Sequence, residues 1–314
     1  MKKYFLSIVA LAGMLFATSC QESIVEPQVG GPTTFTIEIP GQMGTKATGD
    51  QYALFVEVYS ADGVTKIHRL EDAITVGTPK TVSLNLVATQ VYDIIFWAQK
   101  ADASYDARNL NKVEITNKHH NSENGAAFYA IKNDYKPVEV NNPSVTLKRP
   151  FAQLNIGTID EVSYGDNNGN KKLEILSTNI KVESAAKYFE RINTQEFPEL
   201  GEGRTAVNFE YTGGEVLNST MIVNTKTYKQ VSMDYISVLG NKAVVVVTAT
   251  IKVKDPNGVE STIERVITNV PLQMNYRTNI VGNLITSEAG FTVTIDESWD
   301  GTNNKEVKFR EVAT

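Results

Sequence analysis

The chain has 314 residues, 41% of them hydrophobic and 21% charged, with a formal net charge of −6 and a pI near 5.3. That balance supplies no broad cationic surface, so nucleic acid is not an expected partner. Its one cysteine excludes an intramolecular disulfide, and its three histidines leave few nucleophile–base pairs or metal-ligand sets.

At the N-terminus, Lys2 and Lys3 precede an apolar run from Tyr4 to Ala17. The run has the length of a signal-peptide core and is too short to span a bilayer as a helix. Residues 1–19 therefore read as a lipoprotein signal peptide. Small residues in Ala17-Thr18-Ser19-Cys20 lead into the cysteine, as in the bacterial lipobox, whose cysteine is lipidated and becomes the new N-terminus. The leucine usual three positions before that cysteine is Ala17 here. Acyl chains such as palmitate contribute about 0.8 kcal/mol per buried methylene, so two or three of them anchor a protein to an outer membrane. The alternative is an ordinary secretory signal with a cysteine at its end. Residues 21–33, QESIVEPQVGGPT, have the composition of a flexible tether.

Next comes TFTIEIPGQMGTKATGDQ, Thr34 to Gln51. Phe35, Ile37 and Ile39 alternate with polar residues as in a half-buried strand. Pro40, Gly41 and Gly44 then break the pattern and leave Lys46 in a segment open to a protease. Beyond it, short β-branched and aromatic runs at 52–60, 81–86, 91–98, 126–131 and 144–148 predict strands. A second series follows at 149–158, 173–183, 243–255, 259–268, 278–286 and 291–296. Asp255-Pro256-Asn257-Gly258 predicts a hairpin turn between two of these. Only ESAAKYFERI, 183–192, predicts a short helix.

The expected fold class is therefore all-β, with two tandem β-sandwiches divided near residue 148, because a sandwich needs only about seven short strands and about 100 residues. The units are 20–46 as tether and N-terminal strand, 47–148 as first sandwich and 149–314 as second.

Candidate sites are sparse. His119-His120 in NKHHNSENG lacks a third ligand at metal spacing, so a solvated loop is expected and no metal or other cofactor is predicted. Asp166-Asn167-Asn168-Gly169-Asn170 starts like a calcium loop, but Lys171 stands where the sixth-position glycine belongs and Ser177 where the twelfth-position glutamate belongs. A polar turn is the expectation, with a weak ion site as the alternative. No GxSxG, HExxH or GxxxxGK[ST] occurs, so catalysis is not expected. Trp97, in an apolar strand, reads as core, whereas Trp299 among Asp296, Glu297 and Asp300 is open.

Four segments together resemble the fimbrillin superfamily of Bacteroidales surface lipoproteins, the subunits of the type V pilus and their relatives. They are the lipobox at Cys20, the strand and hinge ending at Lys46-Ala47, LKRPFAQLNIGT (147–158) and VPLQMNYRTNIVGNLITSEAGFTVTIDESWDG (270–301). NYRTNIVGNL at 275–284 is the most specific piece. The resemblance implies transthyretin-like sandwiches, lipidation of Cys20, and polymerisation after a trypsin-like protease cuts between Lys46 and Ala47. It also implies that the strand of Phe35, Ile37 and Ile39 occupies a groove that a neighbouring subunit's strand later fills. Strand addition satisfies an open sheet edge while alternate side chains fill pockets. The family's processed bond usually follows Arg, and Lys46 offers a point charge instead of a planar guanidinium.

In the tail GTNNKEVKFREVAT, Val307 and Phe309 share a face with Glu311, and Val312 lies opposite. The segment is a candidate donor strand; an edge strand of its own unit or a frayed terminus is the alternative. The expected function is a fimbrial structural or accessory subunit at the cell surface, contributing to adhesion to a host or bacterial surface ligand. Its partners would be other fimbrial subunits, a processing protease and membrane lipid. A glycan-binding lipoprotein that never polymerises is the alternative, and exposed aromatic platforms would mark it.

Overall fold

The computed structural model describes residues 32–41, 49–101, 105–116, 118–137, 142–164, 172–186, 188–190, 206–238, 242–286, 291–296 and 304–305. In chain order the strands are β1 (Pro32–Glu38), β2 (Gln51–Ser60), β3 (Lys66–Thr75), β4 (Lys80–Asn85), β5 (Tyr92–Gln99), β6 (Tyr105–Asp106) and β7 (Lys112–Ile115). A 3₁₀ turn at Glu123–Gly125 precedes β8 (Ala127–Tyr135), β9 (Ser144–Thr146), β10 (Phe151–Thr158), β11 (Val162–Tyr164), β12 (Leu173–Ala186), β13 (Tyr188–Glu190) and β14 (Ala206–Tyr211). The remainder are β15 (Thr220–Val223), β16 (Lys226–Ser237), β17 (Lys242–Lys254), β18 (Glu260–Gln273), β19 (Arg277–Gly282), β20 (Phe291–Asp296) and β21 (Asn304–Lys305). The protein is all-β.

Among the described residues the strands form five sheets: β4-β1-β9, β3-β2-β5-β8, β13-β7-β6, β15-β16-β10-β19-β20-β21, and β11-β12-β17-β18 with β14 also on β12. Most pairs are antiparallel; β1 with β9, β10 with β19 and β11 with β12 are parallel. β5, YDIIFWAQ, is buried along nearly its whole length, which matches its continuous apolar run. β3, KIHRLEDAIT, is half exposed and carries four charged residues, as an edge strand that must not recruit other chains should.

Two hydrophobic cores organise these sheets. The first gathers Phe35, Ile37, Leu54, Val56, Phe96 and Trp97 with later residues Phe151, Phe189, Met233 and Tyr235. The second begins at Ala152, Leu154 and Ile156 and takes in Ile180, Val247, Ile251, Val270 and Ile280. β10 and β16 feed both, because their alternating faces point to different cores.

The predicted turn closes β17 onto β18. Asp255 Oδ1 accepts from the backbone N–H of Asn257 and of Val259, each at 2.8 Å, and Gly258 takes a φ of 87°.

The predicted helix at 183–192 is corrected. Its first residues complete β12 through Ala186, and Tyr188–Glu190 form β13 against β7, with Phe189 opposite Val113. Ser184 has a φ of 65° beside an irregularity in the β12–β14 ladder, which no helix accommodates. Phe189 lies 5.7 Å from Trp97 between ring centroids, and that core contact outweighs the local helical preference.

Candidate functional site: the slot around β1 and the buried His120

β1 presents two faces. Phe35 and Ile37 have no exposed surface and Ile39, just past its end, has 1%. The Phe35 ring lies 5.6 Å from Phe96 and 5.1 Å from Tyr135 between centroids. Burying three such side chains stabilises the strand's position by on the order of 6 kcal/mol.

Both edges of β1 are paired. On one side it runs antiparallel to β4, from Pro32 opposite Asn85 to Ile37 opposite Lys80. On the other it runs parallel to β9, with Thr36, Ile37 and Glu38 opposite Ser144, Val145 and Thr146. Three further bonds tie it down: Thr36 N–H donates to Pro143 O at 3.1 Å, Leu147 N–H to Glu38 O at 2.9 Å, and Gly77 N–H to Ile39 O at 2.9 Å.

Within this sheet β1 is the link between β4 and β9. Strands stand about 4.8 Å apart, so withdrawing β1 leaves a slot roughly 10 Å wide with unmet backbone groups on both walls. Its apolar lining includes Val82, Leu84, Val145 and Leu147, all buried. A single strand of the same polarity and alternation fits that slot; a loop or helix does not.

Of the residues singled out in the sequence, Phe35, Ile37 and Ile39 come together on this face. Cys20, Lys46, Ala47, Trp299, Val307, Phe309, Val312 and the 166–170 loop lie outside the described residues. Trp97 is in the first core, 2% exposed, with its indole N–H donating to Gln99 Oε1 at 2.7 Å.

His120 corrects the expectation of a solvated loop. It is 4% exposed. Its Nδ1 lies 2.7 Å from Asp234 Oδ1 on β16, and its Nε2 lies 2.7 Å from Thr178 Oγ1 on β12. Asn121 fixes the segment, donating its N–H to Met233 O and accepting Met233 N–H on Oδ1, both at 3.0 Å. Opposite, Gly214 packs so closely that a Cβ there would sit 2.2 Å from His120 O. Burial pushes the Asp234 carboxyl above its ordinary value, and the bond to His120 pulls it only part of the way back.

Hydroxyl, imidazole and carboxylate here stand in the order of a nucleophile relay. Thr178 is 5% exposed and Asp234 has no exposed surface, so the row lies inside the protein. What the row does is tie the 118–122 segment to two sheets. Sequence reasoning missed it because its members are 58 and 114 residues apart. Among the described residues no cluster of three His, Cys, Asp or Glu is placed to hold a metal.

No curated protein matches the chain. Solved structures similar to it include a candidate cell adhesion protein from Parabacteroides distasonis, 12% identical, covering 85% of this chain and 97% of that one at a TM-score of 0.45. A fimbrial assembly protein from the same species is 12% identical, with 88% and 99% covered and a TM-score of 0.43. The fimbrial anchor protein Mfa2 from Porphyromonas gingivalis is 12% identical, with 84% and 96% covered and a TM-score of 0.37. The model of a family described as a family of unknown function, DUF6562, matches residues 26–311, and the chain belongs to that family.

Proposed function

We propose that the chain is a non-catalytic surface subunit of fimbrial type, anchored to the outer membrane through a lipidated Cys20 and assembled by strand exchange once a protease cuts after Lys46. The observation that carries this reading is the position of β1: it joins β4 to β9, its apolar face is fully buried, and Lys46 follows it in the chain before β2 begins. Cutting there leaves β1 held by non-covalent contacts alone, so another strand can compete for the slot.

Division of the chain into two sandwich units near residue 148 belongs to the same proposal. It is supported by the change of core between Phe151 and Ala152. The incoming strand is a neighbour's segment running antiparallel to β4 and parallel to β9, with apolar residues two apart. The tail carrying Val307 and Phe309 is the candidate within this chain.

Limited digestion of the purified full chain with a Lys-specific protease tests it. The expected products are an Ala47 N-terminus and a ladder of oligomers on native gels, both absent from Lys46→Gln protein. A product that has lost residues 34–39 and remains monomeric would overturn the subunit reading.

A further inference from the structure

A second feature stands apart from the β1 slot. β10 turns Ala152, Leu154 and Ile156 into the second core, and its intervening residues Gln153 and Asn155 point the other way. On β19, Ile280 faces the same core while Arg277 and Asn279 lie on the opposite side with Gln153 and Asn155. These four side chains and Gln230 of β16 line a cavity of about 540 Å³. Sites for small ligands occupy roughly 300–1,000 Å³, so the volume suits one.

The lining is about as polar as it is apolar, where a small-ligand cavity is usually mostly apolar. Gln153 is 2% exposed, Asn155 5% and Asn279 4%. They form an ordered row: Ser219 Oγ donates to Gln230 Oε1 at 2.9 Å, Gln230 Nε2 to Asn155 Oδ1 at 3.3 Å, and Asn155 Nδ2 to Asn279 Oδ1 at 2.9 Å. Gln153 Nε2 donates to Tyr235 Oη at 3.4 Å, and that hydroxyl donates to Glu123 Oε2 at 2.5 Å. A primary amide offers two N–H donors and two acceptor lone pairs, more than this row engages on Asn155 and Asn279. The row therefore fixes each amide's orientation and leaves a wall that donates and accepts in alternation.

One side of the cavity is built by the β15–β16 hairpin. A Cβ at Gly157 would stand 2.7 Å from Met221 Sδ, so the glycine lets that thioether lie against β10. Met221, Leu217 and Met233 give the site an apolar surface beside the amides.

We propose that this cavity binds a neutral saccharide. Vicinal hydroxyls each donate and accept, as the amide wall does, and the C–H face of a pyranose suits Met221 and Leu217. Glu123 and Arg277 both line the wall, so neither an anion nor a cation meets a site of one sign, and desolvating three buried amides opposes a purely apolar ligand. The site does not depend on strand exchange, and it replaces the aromatic platform expected of a glycan binder with amides.

The test uses uncut full-length protein, so failure of Lys46 processing cannot affect it. Saturation-transfer NMR and calorimetric titration are run with methyl glycosides of glucose, galactose, mannose and N-acetylglucosamine, with glucuronate and octanol as charged and apolar comparators. At least one neutral glycoside is expected to bind, and Asn279→Leu to weaken it about tenfold or more, the loss of one well-placed polar contact. Met221→Ala, on the β15–β16 hairpin, leaves the amide row intact, is expected to weaken the same ligand by removing its apolar contact, and serves if Asn279→Leu unfolds. Binding of no neutral glycoside at millimolar concentration, tighter binding of glucuronate or octanol, or affinity unchanged in both variants would each overturn the proposal.

Discussion

Glu57, on β2 between Val56 and Val58 of the first core, carries a carboxylate with no exposed surface. Arg69 Nη1 donates to it at 2.6 Å, Lys66 Nζ at 3.0 Å and Leu110 N–H at 2.8 Å, and the Tyr59 hydroxyl completes the set. Burial pushes the Glu57 carboxyl up, but these four donors together outweigh it and hold the group below its ordinary value. The folded value therefore lies below the unfolded one of about 4.3, so this stabilisation is complete above that pH and is lost as pH falls through the folded value. Glu57→Gln is expected to cost about 1–2 kcal/mol at neutral pH, since it strips the charge from a buried carboxylate whose cationic partners Lys66 and Arg69 reach water. Denaturant midpoints measured from about pH 6 to about pH 3 should then fall less steeply in the variant than in the parent. Parallel slopes would mean that Glu57 does not carry the acid sensitivity. The period-two pattern of YALFVEVYS made β2 legible in the sequence, yet nothing local marks Glu57 as buried. Its donors on Lys66, Arg69 and Leu110 are 9, 12 and 53 residues away.

At the scale of elements, legibility followed how many faces a strand buries against apolar neighbours. β1 buries one face, so Phe35, Ile37 and Ile39 announced it. β16 went unpredicted because its buried faces mix polarities: Met233 and Tyr235 serve the first core, while Ser232 and Asp234 share the other face with Ile236. Its sequence, KTYKQVSMDYIS, consequently shows no clean alternation. The saccharide cavity was invisible for the same reason, since amides on β10 and β19 meet only after parallel pairing brings Asn155 opposite Asn279. The hairpin above that cavity has a local fault. Val223 pairs with Lys226, and the two residues between them, Asn224 and Thr225, have φ of 49° and 66°. Such a two-residue turn suits Asn and Gly, and a β-branched Thr in the left-handed region is strained by about 1–2 kcal/mol. Thr225→Gly should raise the stability of the chain by about 1 kcal/mol after the added entropy of glycine in the unfolded state. A denaturation curve shifted the other way would show that the Thr225 side chain contributes more than its backbone costs.

Across the whole molecule, two cores that change over between Phe151 and Ala152 invite independent unfolding, and the contacts that cross the change-over oppose it. Phe189 and Tyr235 return from later in the chain to the first core, packing edge-on and tilted against Phe151 at centroid distances of 6.3 Å and 4.8 Å. His120 makes the reverse crossing, leaving the segment before β8 to bond Asp234 on β16 and Thr178 on β12, in two sheets that line the second core. If that crossing couples the cores, its energy belongs to the pair and not to either residue. His120→Leu alone leaves the wholly buried Asp234 without its partner and should cost about 3–5 kcal/mol, whereas adding Asp234→Leu removes the stranded carboxylate and should recover much of that loss. A double-mutant cycle should accordingly show a coupling of more than about 1 kcal/mol. Calorimetry should report one transition for the parent and two for His120→Leu, because the first core then melts without drawing on the second. Additive losses with a single transition in every variant would place the coupling elsewhere, in the aromatic contacts around Phe151, where Phe189→Ala would then be the variant that separates the two melting events.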